Sequence, residues 1–219
     1  MMPVNRRITD RMRNQKILLV DDHAVVREGV RRLLLELPGI SVLEAGNGQD
    51  ALALFRKEAI DIVLLDLNLA GIGGLELLRR MRKENDKARI IVFSMHSEPL
   101  YAARALRLGA RGYVSKSAAS DELLTAIRRV SEGGHYIERE LASQLAISMY
   151  GGDDPLQQLT TREIEILRLL GEGRSMSQIA ESFGVSYKTV ANTCSIMKSK
   201  LGLDRTADLI RTSIELFKG

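Results

Sequence analysis

The chain is poor in the groups that several chemistries require. Its 219 residues hold one cysteine, Cys194, which excludes an intramolecular disulfide and any cysteine-rich metal site and suits a reducing compartment, the cytoplasm by default. No window approaches the roughly 18 apolar residues of a membrane span. The basic opening stretch MMPVNRRITDRMRNQ has no apolar core, so residues 1–15 read as a disordered lead-in rather than a leader. None of the three histidines stands at metal-ligand spacing with another, and His23 reads as a helix-start residue. There is no G-x-S-x-G motif, and the first apolar run leads into Asp21-Asp22-His23 rather than a glycine-rich phosphate loop.

What is present is ordinary globular composition, 45% hydrophobic and 27% charged, with room for one or two domains. The net charge of +4 is not gathered into a basic arm. One stretch stands apart: residues 182–203 carry Lys188, Lys198 and Lys200 and no Asp or Glu, so it can meet phosphate.

From Lys16 to about Gly134 short apolar runs alternate with longer segments of helical period, the pattern of βα units around a parallel sheet buried on both faces. Five strands are predicted, at 17–20, 40–45, 61–66, 89–94 and 112–115, each followed by a helix: 24–37, 48–58, 74–84, 98–108 and 120–132. Residues 135–155 break the alternation, with a helix from Glu138 to Tyr150 and then the turn-rich GGDDP, and form the predicted linker. From 156 to 219 no strand pattern occurs; helices near 160–171, 175–183, 186–201 and 204–217 make a small all-α unit. The fold class expected is therefore α/β, a doubly wound five-stranded parallel sheet over 16–134, plus a four-helix domain.

In open parallel sheets a ligand site forms beyond the carboxyl ends of the strands. Strand one ends in Asp21-Asp22, strand three in Asp66 and strand four in Ser94, and strand five runs out at Lys116. Crowded carboxylates repel one another unless a cation joins them, and oxygen donors of this kind suit Mg²⁺. A carboxylate beside such an ion and an ammonium can attack a phosphoryl group and become an acyl phosphate, and Asp66 is the best-placed nucleophile.

The motifs ILLVDDH, DIVLLDLN, VFS and GYVSK resemble those of the receiver domains of two-component response regulators, over about residues 16–134. The resemblance implies a flavodoxin-like fold, with Asp66 as phosphoacceptor and Mg²⁺ held by Asp22, Asp66 and the Asn68 backbone carbonyl, Asp21 holding a metal-bound water. It also implies that Lys116 pairs with the phosphoryl group, that Ser94 swings its hydroxyl toward it, and that Tyr113 follows inward. Ala70 stands where many receivers have proline, in DLNLAGIGG, which predicts a more mobile loop.

In the last unit Thr160 to Glu163 and Ser175 to Gln178 are capping boxes, and two short helices meet through a glycine turn near Phe183-Gly184. On the next helix Val190, Cys194, Met197 and Leu201 form an apolar stripe, which makes Cys194 a buried small hydrophobe rather than a redox sensor. The opposite face carries Tyr187, Lys188, Ala191, Asn192, Ser195, Lys198 and Ser199, polar and free of acids, and suits a major groove.

The stretches LTTREIEIL, QIAESFGVSYKTV and KLGLDRTADLI resemble the LuxR-type DNA-binding domain of the NarL/FixJ class, over about residues 156–217. That resemblance implies contacts from Lys188, with Tyr187, Asn192 and Lys200 contributing, and Thr189-Val190 matches the family's TV pair. Ala191, Thr193 and Met176 depart from the usual lysine, histidine and asparagine, which points to an unusual operator. The expected whole is a non-enzymatic regulator: a histidine kinase loads Asp66, and a homodimer binds double-stranded promoter DNA, with no membrane partner. Two rivals are a phosphatase or nucleotide-binding enzyme on the same fold, disfavoured because Asn68 rather than a second acid stands two residues after Asp66, and a receiver-type module that works without phosphorylation.

Overall fold

The computed structural model describes residues 15–69, 73–95, 99–150 and 158–217. Three expectations, a disordered lead-in, a mobile loop at Ala70 and a turn at GGDDP, fall largely or wholly outside them. The chain divides into two compact units, Met1–Ser148 and Met149–Gly219.

The first unit alternates β1 (Gln15–Val20), α1 (Ala24–Leu35), β2 (Ile40–Ala45), α2 (Gly48–Lys57), β3 (Ile62–Leu65), α3 (Gly74–Glu84), β4 (Ile90–Ser94), α4 (Pro99–Arg107), β5 (Gly112–Ser115) and α5 (Ser120–Ser131). Strands β1 and β3 are buried along Ile17–Val20 and Ile62–Leu65 because helices cover both faces of a parallel sheet. The edge strand β2 exposes Ser41 and Glu44. The strand order is β2-β1-β3-β4-β5-β6, all parallel, so the winding reverses beside β1 and a crevice opens beyond the carboxyl ends of β1 and β3. Local signals agree with these elements: the Asn47 side chain accepts from the Gln49 and Asp50 amides, with Asp50 in the first turn of α2 and Arg56 and Lys57 in its last. One core cluster joins Ile17, Leu19, Ile62, Leu64, Ile91 and Val114 of the sheet to Val30 and Leu34 of α1 and Leu123, Ile127 and Val130 of α5.

The sheet has six strands, not the five read from the sequence. After the Gly133-Gly134 turn, β6 (Tyr136–Ile137) adds to β5 in the register Gly112↔Tyr136 and Tyr113↔Ile137. Two residues are too short for a periodic signal. Tertiary contacts hold them: the Arg129 guanidinium lies 5.8 Å over the Tyr136 ring, the Tyr136 amide donates to Arg111 O, and the Ser115 amide donates to the Glu138 carboxylate at 3.0 Å. The helix expected after it is present as α6 (Arg139–Tyr150).

The second unit contains α7 (Thr161–Gly171), α8 (Met176–Ser182), α9 (Tyr187–Leu201) and α10 (Thr206–Phe217). Thr160 with Glu163 and Ser175 with Gln178 form the two reciprocal capping boxes, and Ser186 caps α9 by accepting from the Thr189 amide. Gly184 takes φ 62° in the α8–α9 turn, a left-handed conformation that favours glycine. Ile164, Leu167, Leu170, Ile179, Val190, Met197 and Leu209 supply the core, and the buried Ser213 hydroxyl donates to Leu167 O, fastening α10 to α7.

Candidate functional site

Backbone ladders continue past the strand ends and carry the polar groups into the crevice. The Asp21 amide donates to Ala45 O at 3.1 Å, that of Asp66 to Val20 O at 2.9 Å, and that of Lys116 to Ser94 O at 2.8 Å. Asp21 and Asp66 are 1% and 2% exposed, and Lys116 Nζ lies 2.6 Å from a carboxylate oxygen of each. The other Asp66 oxygen accepts from the Asn68 amide at 3.1 Å, and Asp21 Oδ1 accepts from the His23 amide at 2.8 Å.

Gly74 closes the back of this site. A Cβ there would lie 2.3 Å from Asp66 O, so any larger residue would push α3 off the strand that presents Asp66.

Two buried carboxylates share one ammonium, which leaves an excess negative charge, and Asp22 adds another at the mouth. Buried charge without compensation is costly. Ligating atoms of Asp21, Asp22, His23 and Asp66 lie within 4.8 Å of one another. Asp21 Oδ2 is buried and faces the Lys116 ammonium at 2.6 Å. A hard divalent cation fits this donor set, which is mostly carboxylate oxygen. His23, read from the sequence only as a helix start, does occupy the N-cap of α1, but its Nδ1 also lies 2.7 Å from Asp22 Oδ1. Arg27, not singled out in the sequence, donates to Asp21 O at 2.7 Å; lying one turn into α1, it gave no signal beyond its charge.

Ser94 is fully buried at the carboxyl end of β4 and pairs in register with Ser115. Tyr113 is also fully buried on β5.

In the second unit, α9 presents its two faces as the sequence divides them. Val190, Cys194 and Met197 are buried and Leu201 half-buried, while Tyr187, Lys188, Thr189, Asn192 and Ser195 are exposed. Burial pushes the Cys194 thiol above its ordinary pKa against the opposing pull of Lys198, which keeps it a protonated, inert side chain. The Thr189 hydroxyl lies 2.9 Å from that of Ser186, and the Thr193 hydroxyl donates to Thr189 O. Lys198 donates to Asp204 O at 3.3 Å. Lys200, grouped with the DNA contacts by resemblance, instead reaches inward: its Nζ donates to both carboxylate oxygens of Glu163 at 2.8 Å.

Among the described residues no helix is long and apolar enough to cross a membrane. Residues 17–128 match the family model for the response regulator receiver domain, and residues 157–213 match that for bacterial regulatory proteins of the luxR family. The chain is 43% identical over 204 residues to the transcriptional activator protein ExaE of Pseudomonas putida, covering 91% of this chain and 95% of that one. It is 38% identical over 202 residues to the response regulator UvrY of Escherichia coli K12, with 90% and 93% covered. A solved structure of the RcsB response regulator of Salmonella typhimurium, described for its conformational dynamism for DNA interaction, is 26% identical, aligns with a TM-score of 0.60 and covers 91% and 98% of the two chains.

Proposed function

The chain belongs to the two-component response regulators with a LuxR-type DNA-binding domain, the NarL/FixJ class, and on that premise we propose that Asp66 accepts a phosphoryl group from a histidine kinase and so licenses promoter binding. The observation that carries this is the buried Asp21–Lys116–Asp66 arrangement, with Lys116 Nζ 2.6 Å from both carboxylates. A receiver unit over 16–134 and a DNA-binding unit over 156–219 divide the work, and both belong in the cytoplasm, where promoter DNA is.

An Asp66 carboxylate oxygen attacks the phosphorus of a phosphohistidine, the P–N bond breaks, and the imidazole leaves with the electron pair and is reprotonated. The product is an acyl phosphate on Asp66. Lys116 trades its ion pair with Asp66 for one with the new phosphoryl oxygens, and Asp21 keeps the ammonium aimed at them. Asp21, Asp22, Asp66 and the Asn68 backbone carbonyl would hold Mg²⁺, which supplies charge neutralisation at the phosphoryl oxygens. The Ser94 hydroxyl swings to donate to one of those oxygens, and the Tyr113 ring follows inward into the space it vacates. The unit acts as a switch and not as an enzyme with a released product.

On the output side, Lys188 with Tyr187, Thr189, Asn192 and Lys198 forms the face that enters the major groove, and a homodimer reads paired half-sites. One such helix makes few contacts, so pairing raises the affinity.

Intact-protein mass after incubation with Mg²⁺ and acetyl phosphate tests the receiver chemistry. A gain of one phosphoryl group in the wild type and none in Asp66→Ala is expected. An equal gain in both would move the acceptor elsewhere, and no gain with acetyl phosphate or a kinase would leave the phosphorylation-independent module.

A further inference from the structure

The resemblance groups Lys200 with the DNA contacts, but its surroundings give it different work. Both oxygens of Glu163 accept hydrogen bonds from its Nζ at 2.8 Å, and Glu163 is 6% exposed. The same carboxylate closes the capping box of α7 by accepting from the Thr160 amide. Burial works to raise the Glu163 pKa, but Lys200 and Thr160 outweigh it and hold the group below the usual carboxylate value. The pair is therefore charged and closed.

We propose that Lys200 is a positioning residue: it locks the C-terminal end of recognition helix α9 to the capped N-terminus of α7 and so sets the angle at which α9 meets DNA, without itself touching phosphate. Lys188 and Lys200 are 12 residues apart on α9, about 18 Å at 1.5 Å per residue. A small swing at the Lys200 end therefore displaces the base-reading end. Among the described residues Glu163 is the acid paired with the Lys200 ammonium, so a phosphate would have to displace a buried, otherwise uncompensated carboxylate. The proposal rests on the DNA-binding reading above and deepens it.

The test measures the affinity of the full chain, treated with Mg²⁺ and acetyl phosphate, for a short duplex recovered by the wild type from a randomised pool, across a series of salt concentrations. Lys200→Met, Lys200→Arg, Glu163→Gln and the double variant Glu163→Gln/Lys200→Met are compared, a scrambled duplex serving for specificity. Glutamine at 163 keeps a cap acceptor for Thr160. A positioning pair predicts that Lys200→Met and Glu163→Gln each weaken specific binding about tenfold, that the double variant is no worse than either single one, and that Lys200→Arg restores most of it. It also predicts a log-affinity against log-salt slope equal to the wild type in every variant. A phosphate contact predicts the opposite pattern: Lys200→Met alone flattens the slope by about 0.9, and Glu163→Gln frees the lysine and tightens binding. That second pattern overturns the proposal while leaving the DNA-binding reading intact. A wild type that binds no duplex in either state retires both.

Discussion

Glu165 on α7 is half-buried between Arg162 and Arg168 in the sequence, and burial pushes its carboxyl up to about 7 against the opposing pull of both arginines. A folded pKa above the unfolded value means that the fold holds the proton more tightly than the open chain does. The corresponding stability is present below the unfolded pKa of 4.5 and is lost as pH rises through 7. Glu165→Gln cannot ionise. It is expected to unfold in urea with little difference from wild type near pH 5 and to be more stable by on the order of 2 kcal/mol at pH 8. Parallel pH profiles for the two proteins would show that the site is better solvated than its burial indicates. At this scale the sequence told more about the acidic crevice than about the helical unit. Asp21, Asp66 and Lys116 are legible because a polar residue that ends an apolar strand has only the crevice to occupy. Lys200 is not, since a lysine on a helix looks alike whether it faces water or a carboxylate 37 residues away.

Elements with a local signal, and strands β1–β5 with their long apolar runs, are legible in the sequence; the two-residue strand β6, held by distant partners, is not. The N-caps at Asn47, Thr160, Ser175 and Ser186 satisfy amides within three residues of themselves, so their effect can be read from adjacent letters. Strand β6 owes its existence to Arg129, Arg111, Tyr113 and Ser115 instead, which no window of sequence contains. The caps also support a prediction. Ser186 accepts from the Thr189 amide at the start of the recognition helix, and Ser186→Ala should lower the stability of the helical unit by about 1 kcal/mol. Circular dichroism melting would register it, together with weaker duplex binding, because the first turn of α9 carries Tyr187, Lys188 and Thr189. Unchanged melting would mean that water satisfies that amide equally well.

For the whole molecule, the division into a sheet unit and a helical unit separates the chemistry from its output. The buried Asp21–Lys116–Asp66 set belongs to the first and the exposed face of α9 to the second, and both units fall in one family architecture shared with ExaE and UvrY over more than nine-tenths of their lengths. A phosphoryl group on Asp66 needs to supply only a few kcal/mol of bias to shift the helical unit toward its binding-competent state. DNA binding should therefore depend on Asp66. The most direct test titrates a duplex selected by the wild type with wild-type and Asp66→Ala chains, each with Mg²⁺ and with or without acetyl phosphate. The donor is expected to tighten wild-type binding by about tenfold or more and to leave Asp66→Ala at the level of the untreated protein. Equal affinities with and without the donor, in a wild type whose mass shows the added phosphoryl group, would contradict it.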